Sequence, residues 1–454
     1  MKLISVENNC VRFLGATIFK TSFSKKGITF CLFGIPLFKS RSKLSKLIAK
    51  IKQNTNFDMS SFDAQIADMV SDLKIKNFTP NAKKAAFFAT ACHDMGGHTK
   101  CIVDLAKSLS NQYEERLFLT QKSHSFRKAP LALHELQKIL VIDGEDTTPF
   151  SFQKKVLKYA QKIAQFQPKT LLVYINPDDV FATAVLAVLK KNTDTRILFI
   201  NHASHFPSLG MNFADVILEC LETAAKITCE KRHLKNLQII GLQSKAKDET
   251  QYYSKQEIND LKETLGINSD NMLTMSGGAS YKFFNKNDHS DYFEMIKRLL
   301  KKEPTLKHVV ITQLNQKQND TVEKIFKNEP DLRKRLIFVP YQKNFDKYFQ
   351  CADVFVDSFP VSSALTQIDL MRNKVASVVK INREMPEFSF HEYQMKDYPY
   401  MFETVDQMEK AISELLHNEK KREEIIVKNY EYWLKTYERD VVRAKYIQVM
   451  EDKQ

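Results

Sequence analysis

The sequence predicts an α/β protein made of two successive doubly wound domains, with a basic extension before them and helices after them. Its 454 residues exceed one ordinary hydrophobic core, so two or three domains are expected. Short apolar segments alternate with amphipathic helical segments, a pattern typical of parallel sheets that helices cover on both faces. The alternation begins near residue 85 and begins again near residue 272, which indicates two separate sheets.

The extension covers residues 1–78 and is predicted to hold a β-hairpin over residues 20–39, followed by helices. Residues 1–60 contain eleven Lys and Arg side chains against two acidic ones, and so carry +9 of the chain's net charge of +14. Basic residues interleaved with apolar ones suit an anionic membrane surface, and they equally suit a solvated basic face. No nucleic-acid-binding motif accompanies the charge, so nucleic acid is not an expected partner.

The first domain is predicted over residues 79–265 and the second over residues 266–425. The predicted strands of the first are AAFFATA (85–91), ERLFLT (115–120), KILVID (138–143), TLLVYIN (170–176), RILFINHA (196–203) and DVILEC (215–220). Those of the second are NMLTMSGG (271–278), HVVITQL (308–314), LIFVPYQ (336–342), DVFVDSF (353–359) and VASVVKI (375–381). The helical residues 426–454 are expected to pack back on the first domain.

The chain shows no pattern typical of secretion or of a membrane span. No segment reaches the roughly 18 apolar residues that cross a bilayer, and Glu7, Asn8 and Asn9 interrupt any signal-peptide core. Seven cysteines without regular spacing do not form a disulfide framework. We expect a cytoplasmic protein, held at the inner face of the cell membrane if the basic extension binds lipid.

The stretch ACHDMGGHTKC, residues 91–101, joins the first predicted strand of the first domain to its helix. Gly96 and Gly97 allow the backbone to come close to a ligand, and Thr99 is placed to cap the helix. His98 is a candidate general base, because the ordinary pKa of histidine lies near working pH. The alternative is a tight turn that carries a surface histidine.

The same stretch also carries side chains that bind metals, at Cys92, His93, His98 and Cys101. Zinc sites usually place such residues in paired short spacings across a structured knuckle, and this turn has no such pairing. The cysteines are explained as small core residues. We therefore expect no metal ion, and a metal site stays the minor alternative.

A second polar loop, INHASHFPSLG (200–210), follows another strand of the first domain. Asn201, His202 and His205 lie at the carboxyl end of that strand. Ligands of doubly wound sheets bind at this end of the strands. A solvated loop could hold the same residues, so both interpretations stay open.

In the second domain, MLTMSGGASYKFF (272–284) places two glycines at the end of a strand. Gly277 and Gly278 can expose backbone N–H groups to a phosphate, and Lys282 can add a charge-assisted contact. An isolated pattern of this kind is weak evidence for a phosphate site. Its position at a strand end in a second sheet strengthens the prediction.

The segment VFVDSFPVSSALTQIDLMRN (354–373) offers a second group of phosphate ligands. Ser362, Ser363 and Thr366 cluster at the start of a helix, where hydroxyl and N–H groups favour an anion. Asp369 lies three residues after Thr366 on the same helical face and could accept hydrogen bonds from a ribose diol. A capping serine and an exposed aspartate are the alternative.

These features together resemble the GT-B superfamily of nucleotide-sugar glycosyltransferases, from about residue 80 to the end of the chain. The segment ADVFVDSFPVSSALTQIDLMRNKVASVV (352–379) is similar to the donor-site segment of the branch that contains O-GlcNAc transferases and bacterial protein N-glucosyltransferases. NHASHFPSLG is similar to a histidine-containing loop of related bacterial enzymes. The chain departs from the family after the donor helix, where Asn373 or Lys374 and Ala376 replace the usual Gly and Pro.

The resemblance implies two Rossmann-like domains facing a cleft, and a nucleotide sugar, in particular a UDP-sugar, as co-substrate without any cofactor. Gly277, Gly278, Lys282, Ser362, Ser363 and Thr366 would bind its diphosphate, while Asp369 would hold the ribose. The uracil would lie near Tyr341. Gly96, Gly97, Thr99 and Asn201 would face the acceptor.

The two glutamates of the retaining branch are poorly matched, because Val361 stands where the first would be. An inverting, metal-independent transfer is therefore expected, with His98 as base and His202 or His205 as competitors. The expected acceptor is a glycan or lipid-linked glycan of a bacterial surface polysaccharide. A nucleotide-sugar epimerase of the same fold and a non-catalytic sugar-binding or membrane-binding relative stay open as alternatives.

Overall fold

The structure is a computed structural model. It describes the backbone of five strands between residues 4 and 40 and of residues 43–92, 97–120, 136–138, 140–144, 152–285, 287–342, 345–383 and 389–452, with side chains from residue 43 onward except at Gly97, Gly144 and Phe390. Within these ranges, no helix combines the length and the apolar character that crossing a bilayer requires.

The first described element is an antiparallel sheet of five strands, each paired with the next along the chain. The strands are β1 (Ile4–Glu7), β2 (Cys10–Phe13), β3 (Ala16–Ser24), β4 (Gly27–Leu32) and β5 (Ile35–Ser40). The predicted hairpin is therefore only part of a larger sheet. Asn8 and Asn9 stand between β1 and β2 in the sequence, and such residues are typical of short hairpin loops.

Two helices that were assigned to the extension belong to the first domain. They are α1 (Lys43–Gln53) and α2 (Ser60–Met69). Leu47, Ile51 and Ile66 are buried in the hydrophobic core of that domain. The packed unit therefore starts near residue 43, because these helices have apolar faces that need a partner.

The first domain contains a parallel sheet with the order β12-β11-β10-β9-β6-β7-β8 among the described residues. Its strands are β6 (Asn81–Ala89), β7 (Glu114–Leu119), β8 (Val141–Gly144), β9 (Pro168–Tyr174), β10 (Arg196–Ile200), β11 (Val216–Glu219) and β12 (Leu237–Ile239). Its helices are α3 (Gly97–Leu109), α4 (Phe152–Phe166), α5 (Val180–Asn192) and α6 (Glu222–Lys231). The unpredicted strand β12 is a short edge strand with mostly exposed residues, so it produces no apolar run.

The second domain contains another parallel sheet, with the order β15-β14-β13-β16-β17-β18 in the described part of the chain. Its strands are β13 (Met272–Gly277), β14 (Leu306–Ile311), β15 (Leu336–Val339), β16 (Val354–Val356), β17 (Ser377–Lys380) and β18 (Met401–Phe402). Its helices are α7 (Lys255–Thr264), α8 (Asp291–Lys302), α9 (Gln316–Phe326), α10 (Pro330–Lys334), α11 (Phe345–Phe349) and α12 (Ala364–Arg372). The predicted fold class, two doubly wound α/β domains, is confirmed.

The boundary between the domains lies before α7 and not at residue 265. Ile258 and Leu261 of α7 pack against the core cluster of the second sheet that contains Leu273 and Phe355. The chain closes with α13 (Val405–His417), α14 (Glu419–Thr436) and α15 (Arg439–Glu451). Tyr446 of α15 is buried in the first-domain cluster that also contains α3, so the last helix returns to the first domain.

A hydrophobic cluster joins the two domains. Leu221 and Ala224 of the first domain meet Ile368 and Met371 of α12, and Trp433 of α14 lies buried among them. The cluster removes apolar side chains of both domains from water. This burial stabilises their contact by roughly 25 cal/mol for each Å² of apolar surface buried. The two domains are therefore packed against each other through this cluster.

Candidate active site

The reversal of strand order in each sheet places a crevice at its carboxyl edge, which is where doubly wound sheets bind ligands. In the first sheet the order reverses between β6 and β9, and in the second between β13 and β16. The loops that follow β6, β13 and β16, together with the helices after them, carry most of the predicted site residues. The candidate active site is built from these loops and from the helices that follow them.

The first wall of the site is the start of α3. The helix begins at Gly97, so Thr99 is in its first turn and is not its cap, contrary to the prediction. The Thr99 hydroxyl is buried and donates a hydrogen bond to the thiol of Cys92. Gly96 lies outside the described residues. Thr99 therefore directs its hydroxyl to Cys92 inside the protein and does not present it to a ligand.

His98 lies at the switch point of the first sheet. Its Nε2 is 3.0 Å from the carbonyl oxygen of Tyr174, the last residue of β9. Because a carbonyl only accepts hydrogen bonds, Nε2 must carry the hydrogen. In the neutral ring, Nδ1 then has the lone pair that could accept a proton.

The ring of His202 packs against that of His98, with 4.4 Å between ring centroids. Burial, followed by the charge of His98, lowers the pKa of His202 to about 3, so His202 is neutral at pH 7. The Nδ1 atom of His202 is buried without a partner among the described residues. His205 packs on Phe206 in the same loop, at 4.3 Å between ring centroids. The structure thus brings the three candidate bases to one region.

Asn201 supports this loop from below. Its amide donates hydrogen bonds of 2.9 and 3.0 Å to the two carboxyl oxygens of Glu219, and the residue is buried. Arg232 donates to the carbonyl oxygens of Ser204 and Phe206 at 2.8 and 2.9 Å. The structure therefore gives Asn201 a role in holding the histidine loop, and it does not turn the side chain toward an acceptor.

The opposite wall belongs to the second domain and joins the loop after β13 to the start of α12. The Lys282 ammonium group donates to the carbonyl oxygen of Ser362 and to the hydroxyl of Ser363, both at 3.0 Å. A Cβ atom at Gly278 would lie 3.2 Å from Cδ of Lys282 and 3.4 Å from the Ser363 hydroxyl. Four of the predicted diphosphate ligands therefore converge, and the absence of a side chain at Gly278 permits the contact.

The carboxylate of this cluster belongs to Asp357, a residue to which the sequence analysis gave no role. It is fully buried, accepts a hydrogen bond from the Ser362 hydroxyl and lies near the charge of Lys282. Burial raises its pKa to about 6, and these two contacts oppose the rise. Asp357 opens the motif DSFP directly after β16, and this position at a strand end is the signal that could have indicated a role.

The remaining predicted donor residues lie around this cluster. Gly277, the last residue of β13, packs against Phe345. The ring centroids of Tyr341 and Phe345 are 5.4 Å apart. The exposed Tyr341 is therefore near the end of β13. Thr366 is half-buried in the first turn of α12. These placements are compatible with a nucleotide that extends from α12 toward Tyr341.

Asp369 takes part in a chain of charges that connects the two domains. Its carboxylate accepts hydrogen bonds from Lys100 of α3, at 3.0 and 3.3 Å, and from Arg372 at 3.1 Å. Arg372, 1% exposed, also makes a two-pronged contact with Asp346, which Lys245 reaches at 3.0 Å. Burial opposes ionisation of Asp369, but Lys100 and Arg372 outweigh it and lower its pKa.

No group of three or more potential metal ligands occurs among the residues with described side chains. His93, one member of the minor alternative, is outside those residues. Burial raises the pKa of Cys92 and of Cys101 to about 12, which disfavours the thiolate form that binds metals.

The chain has the two-domain GT-B fold, as solved structures show. A glycosyltransferase from Rickettsia africae superposes with a TM-score of 0.65 at 10% identity, over 81% of this chain and 98% of that one. Anabaena HepE, solved with UDP and glucose, superposes with a TM-score of 0.63 at 12% identity, over 82% of this chain and 100% of that one. An O-GlcNAc transferase from Thermobaculum terrenum superposes with a TM-score of 0.55 at 10% identity, over 89% of this chain and 75% of that one.

The sequence itself matches no family model, and no curated protein matches it. The similarity to solved structures therefore establishes the fold.

Proposed function

We propose that this chain is a glycosyltransferase that moves a sugar from a UDP-sugar to a hydroxyl group of a glycan or lipid-linked glycan. The reaction would serve the assembly of a bacterial surface polysaccharide. One observation carries the proposal: the contact between Lys100 and Asp369 sets the start of α3 against α12. His98 is two residues before Lys100 in the first turn of α3, and it would lie near the cleft that the cluster of Lys282, Ser362 and Ser363 lines. The occurrence of UDP and glucose in Anabaena HepE supports the choice of donor.

The diphosphate of the donor would bind at the start of α12. Lys282 would direct its ammonium group to a phosphate oxygen, and the Ser362 and Ser363 cluster, Thr366 and the N–H groups of α12 would surround the other oxygens. These groups would stabilise the charge that develops on the departing UDP, so the reaction would need no metal ion. Asp369 would accept hydrogen bonds from the ribose, and Tyr341 would lie beside the uracil.

His98 would act as general base in an inverting displacement. Its Nδ1 would take the proton of the acceptor hydroxyl while that oxygen forms a bond to the anomeric carbon. The bond from that carbon to the diphosphate oxygen would break, and UDP would leave with the electron pair. His202 is held neutral by burial, so it would add no second positive charge beside the protonated His98.

The test uses purified protein with a panel of UDP-sugars labelled in the sugar. Transfer of label to an added oligosaccharide or lipid-linked acceptor, with inverted anomeric configuration by NMR, is the expected result. Release of a free epimerised sugar without an acceptor would identify an epimerase instead. Binding of UDP without turnover of any donor would identify a non-catalytic relative.

We also propose that residues 1–42 bind an anionic membrane surface. Residues 1–42 contain seven basic side chains and one acidic one, and each basic residue near such a surface contributes about 1 kcal/mol. Deletion should end at residue 42, because α1 contributes Leu47 and Ile51 to the core. The deleted protein should lose pelleting with phosphatidylserine vesicles, and equal pelleting of both proteins would refute the idea. Vesicles of neutral phosphatidylcholine are the control.

A further inference from the structure

Lys100 of the first domain is hydrogen-bonded to Asp369 of the second domain, the carboxylate that is expected to hold the ribose. The ammonium nitrogen of Lys100 is 3.0 Å from one oxygen of Asp369 and 3.3 Å from the other. The Lys100 side chain is 32% exposed and that of Asp369 is 16% exposed. The pair is therefore shielded from water on most sides, and it bridges α3 and α12.

The two distances fix where the ammonium group lies. A single nitrogen within hydrogen-bonding distance of both oxygens must lie near the bisector of the carboxylate, between its two oxygens. Arg372 contacts only one of them, at 3.1 Å. A vicinal diol that donates one hydrogen bond to each oxygen needs the position between them. Lys100 and a ribose diol would therefore compete for one position.

A second observation shows where Lys100 could go. Asp104 lies four residues after Lys100 on α3, within reach on the same helical face. It is 7% exposed, and its Oδ2 atom is buried with no hydrogen-bond partner among the described residues. Burial raises the pKa of Asp104, while the nearby charge of Lys100 opposes the rise. A buried carboxyl oxygen without a partner costs free energy that an ammonium group would recover.

We propose that Lys100 is a gate to the ribose position: it binds Asp369 in the absence of donor and moves to Asp104 when a ribose diol takes its place. The inference rests on the proposed function, in which Asp369 receives the ribose. Arg372 stays on Asp369 throughout, so the carboxylate keeps a positive partner in both states. Binding of the donor thereby removes one contact between the domains.

The test measures binding of UDP and of 2′,3′-dideoxyuridine 5′-diphosphate by isothermal titration calorimetry. The second ligand has no diol and does not need to displace Lys100. Lys100→Met should strengthen binding of UDP about fivefold, since it removes a competing ion pair of ordinary strength. The same substitution should change binding of the dideoxy compound less than twofold.

Asp104→Asn is the second variant. It weakens the alternative partner of Lys100, so binding of UDP should become about threefold to fivefold weaker, again with little change for the dideoxy compound. Lys245→Met is the matched control, because Lys245 contacts Asp346 and not Asp369. Its ratio of the two affinities should equal that of the unsubstituted protein.

An unchanged ratio in both Lys100→Met and Asp104→Asn would overturn the gate while leaving the proposed function intact. Equal weakening of both ligands by Lys100→Met would also overturn it, since Lys100 would then bind the donor directly. If the unsubstituted protein binds neither ligand, the proposed function fails and the gate fails with it.

Discussion

Glu115 should make the stability of the folded chain depend strongly on pH. The residue is on β7, is 7% exposed, and neither of its carboxyl oxygens has a hydrogen-bond partner among the described residues. Burial raises its pKa from an ordinary 4.5 to about 9. The folded protein therefore holds a neutral carboxyl group at pH 7, where the unfolded chain ionises it.

The magnitude follows from this difference in proton binding. Each pH unit between the two pKa values removes about 1.4 kcal/mol of stability, because the folded state binds one more proton than the unfolded state. The stability that comes from the protonated Glu115 is fully present below pH 4.5 and is lost progressively as the pH rises toward 9. At pH 7 the loss amounts to about 3 kcal/mol. Glu115→Gln has the same shape and cannot ionise, so it should recover about this amount at pH 7 and almost none at pH 4.5.

The assay is urea unfolding followed by circular dichroism at pH 5, 6, 7 and 8. The difference in unfolding free energy between Glu115→Gln and the unsubstituted protein should grow by about 1.4 kcal/mol for each pH unit. Glu114→Gln is the matched control, since Glu114 is the exposed neighbour on the same strand. Parallel pH profiles for the unsubstituted protein and Glu115→Gln would refute a neutral, buried Glu115.

Three further predictions concern the site and the contact between domains. His98→Ala should lower kcat for sugar transfer roughly 100-fold or more with UDP affinity retained, whereas a change of only a few-fold would exclude His98 as the base. Arg372→Leu should destabilise the fold by about 3–5 kcal/mol in urea unfolding, because it leaves the buried Asp346 with less compensation; Arg383→Leu, at an exposed ion pair, should cost under about 1 kcal/mol. Trp433→Ala should cost about 3–5 kcal/mol by the same measurement, and a loss below 1 kcal/mol would mean that the domains do not depend on this cluster.

The sequence predicted the central strands because their burial is visible in their composition. In β9, for example, Leu171, Leu172 and Val173 are all fully buried, and such continuous apolar segments are typical of parallel sheets. The edge strands β12 and β18 were missed because they are short and partly or largely exposed. The predicted domain boundaries differ from those of the structure for a similar reason. Amphipathic helices such as α1 and α7 do not show in their own sequence which core they join.

The candidate site divides in the same way. Gly278, Lys282, Ser362 and Ser363 could be predicted because each belongs to a local pattern at the end of a strand. The pairing of Lys100 with Asp369 could not be predicted, since 269 positions separate the two residues and no local pattern indicates that they meet. The roles of Thr99 and Asn201 were misjudged because a polar side chain at a strand end can turn toward the protein as readily as toward a ligand.

The position of Trp433 has an optical consequence. It is the only tryptophan of the chain, and it is completely enclosed where the domains meet. An indole in such apolar surroundings emits at shorter wavelength than one in water. Separation of the domains would wet this ring and shift its emission to the red. The chain therefore contains its own spectroscopic reporter of domain opening, without any added label.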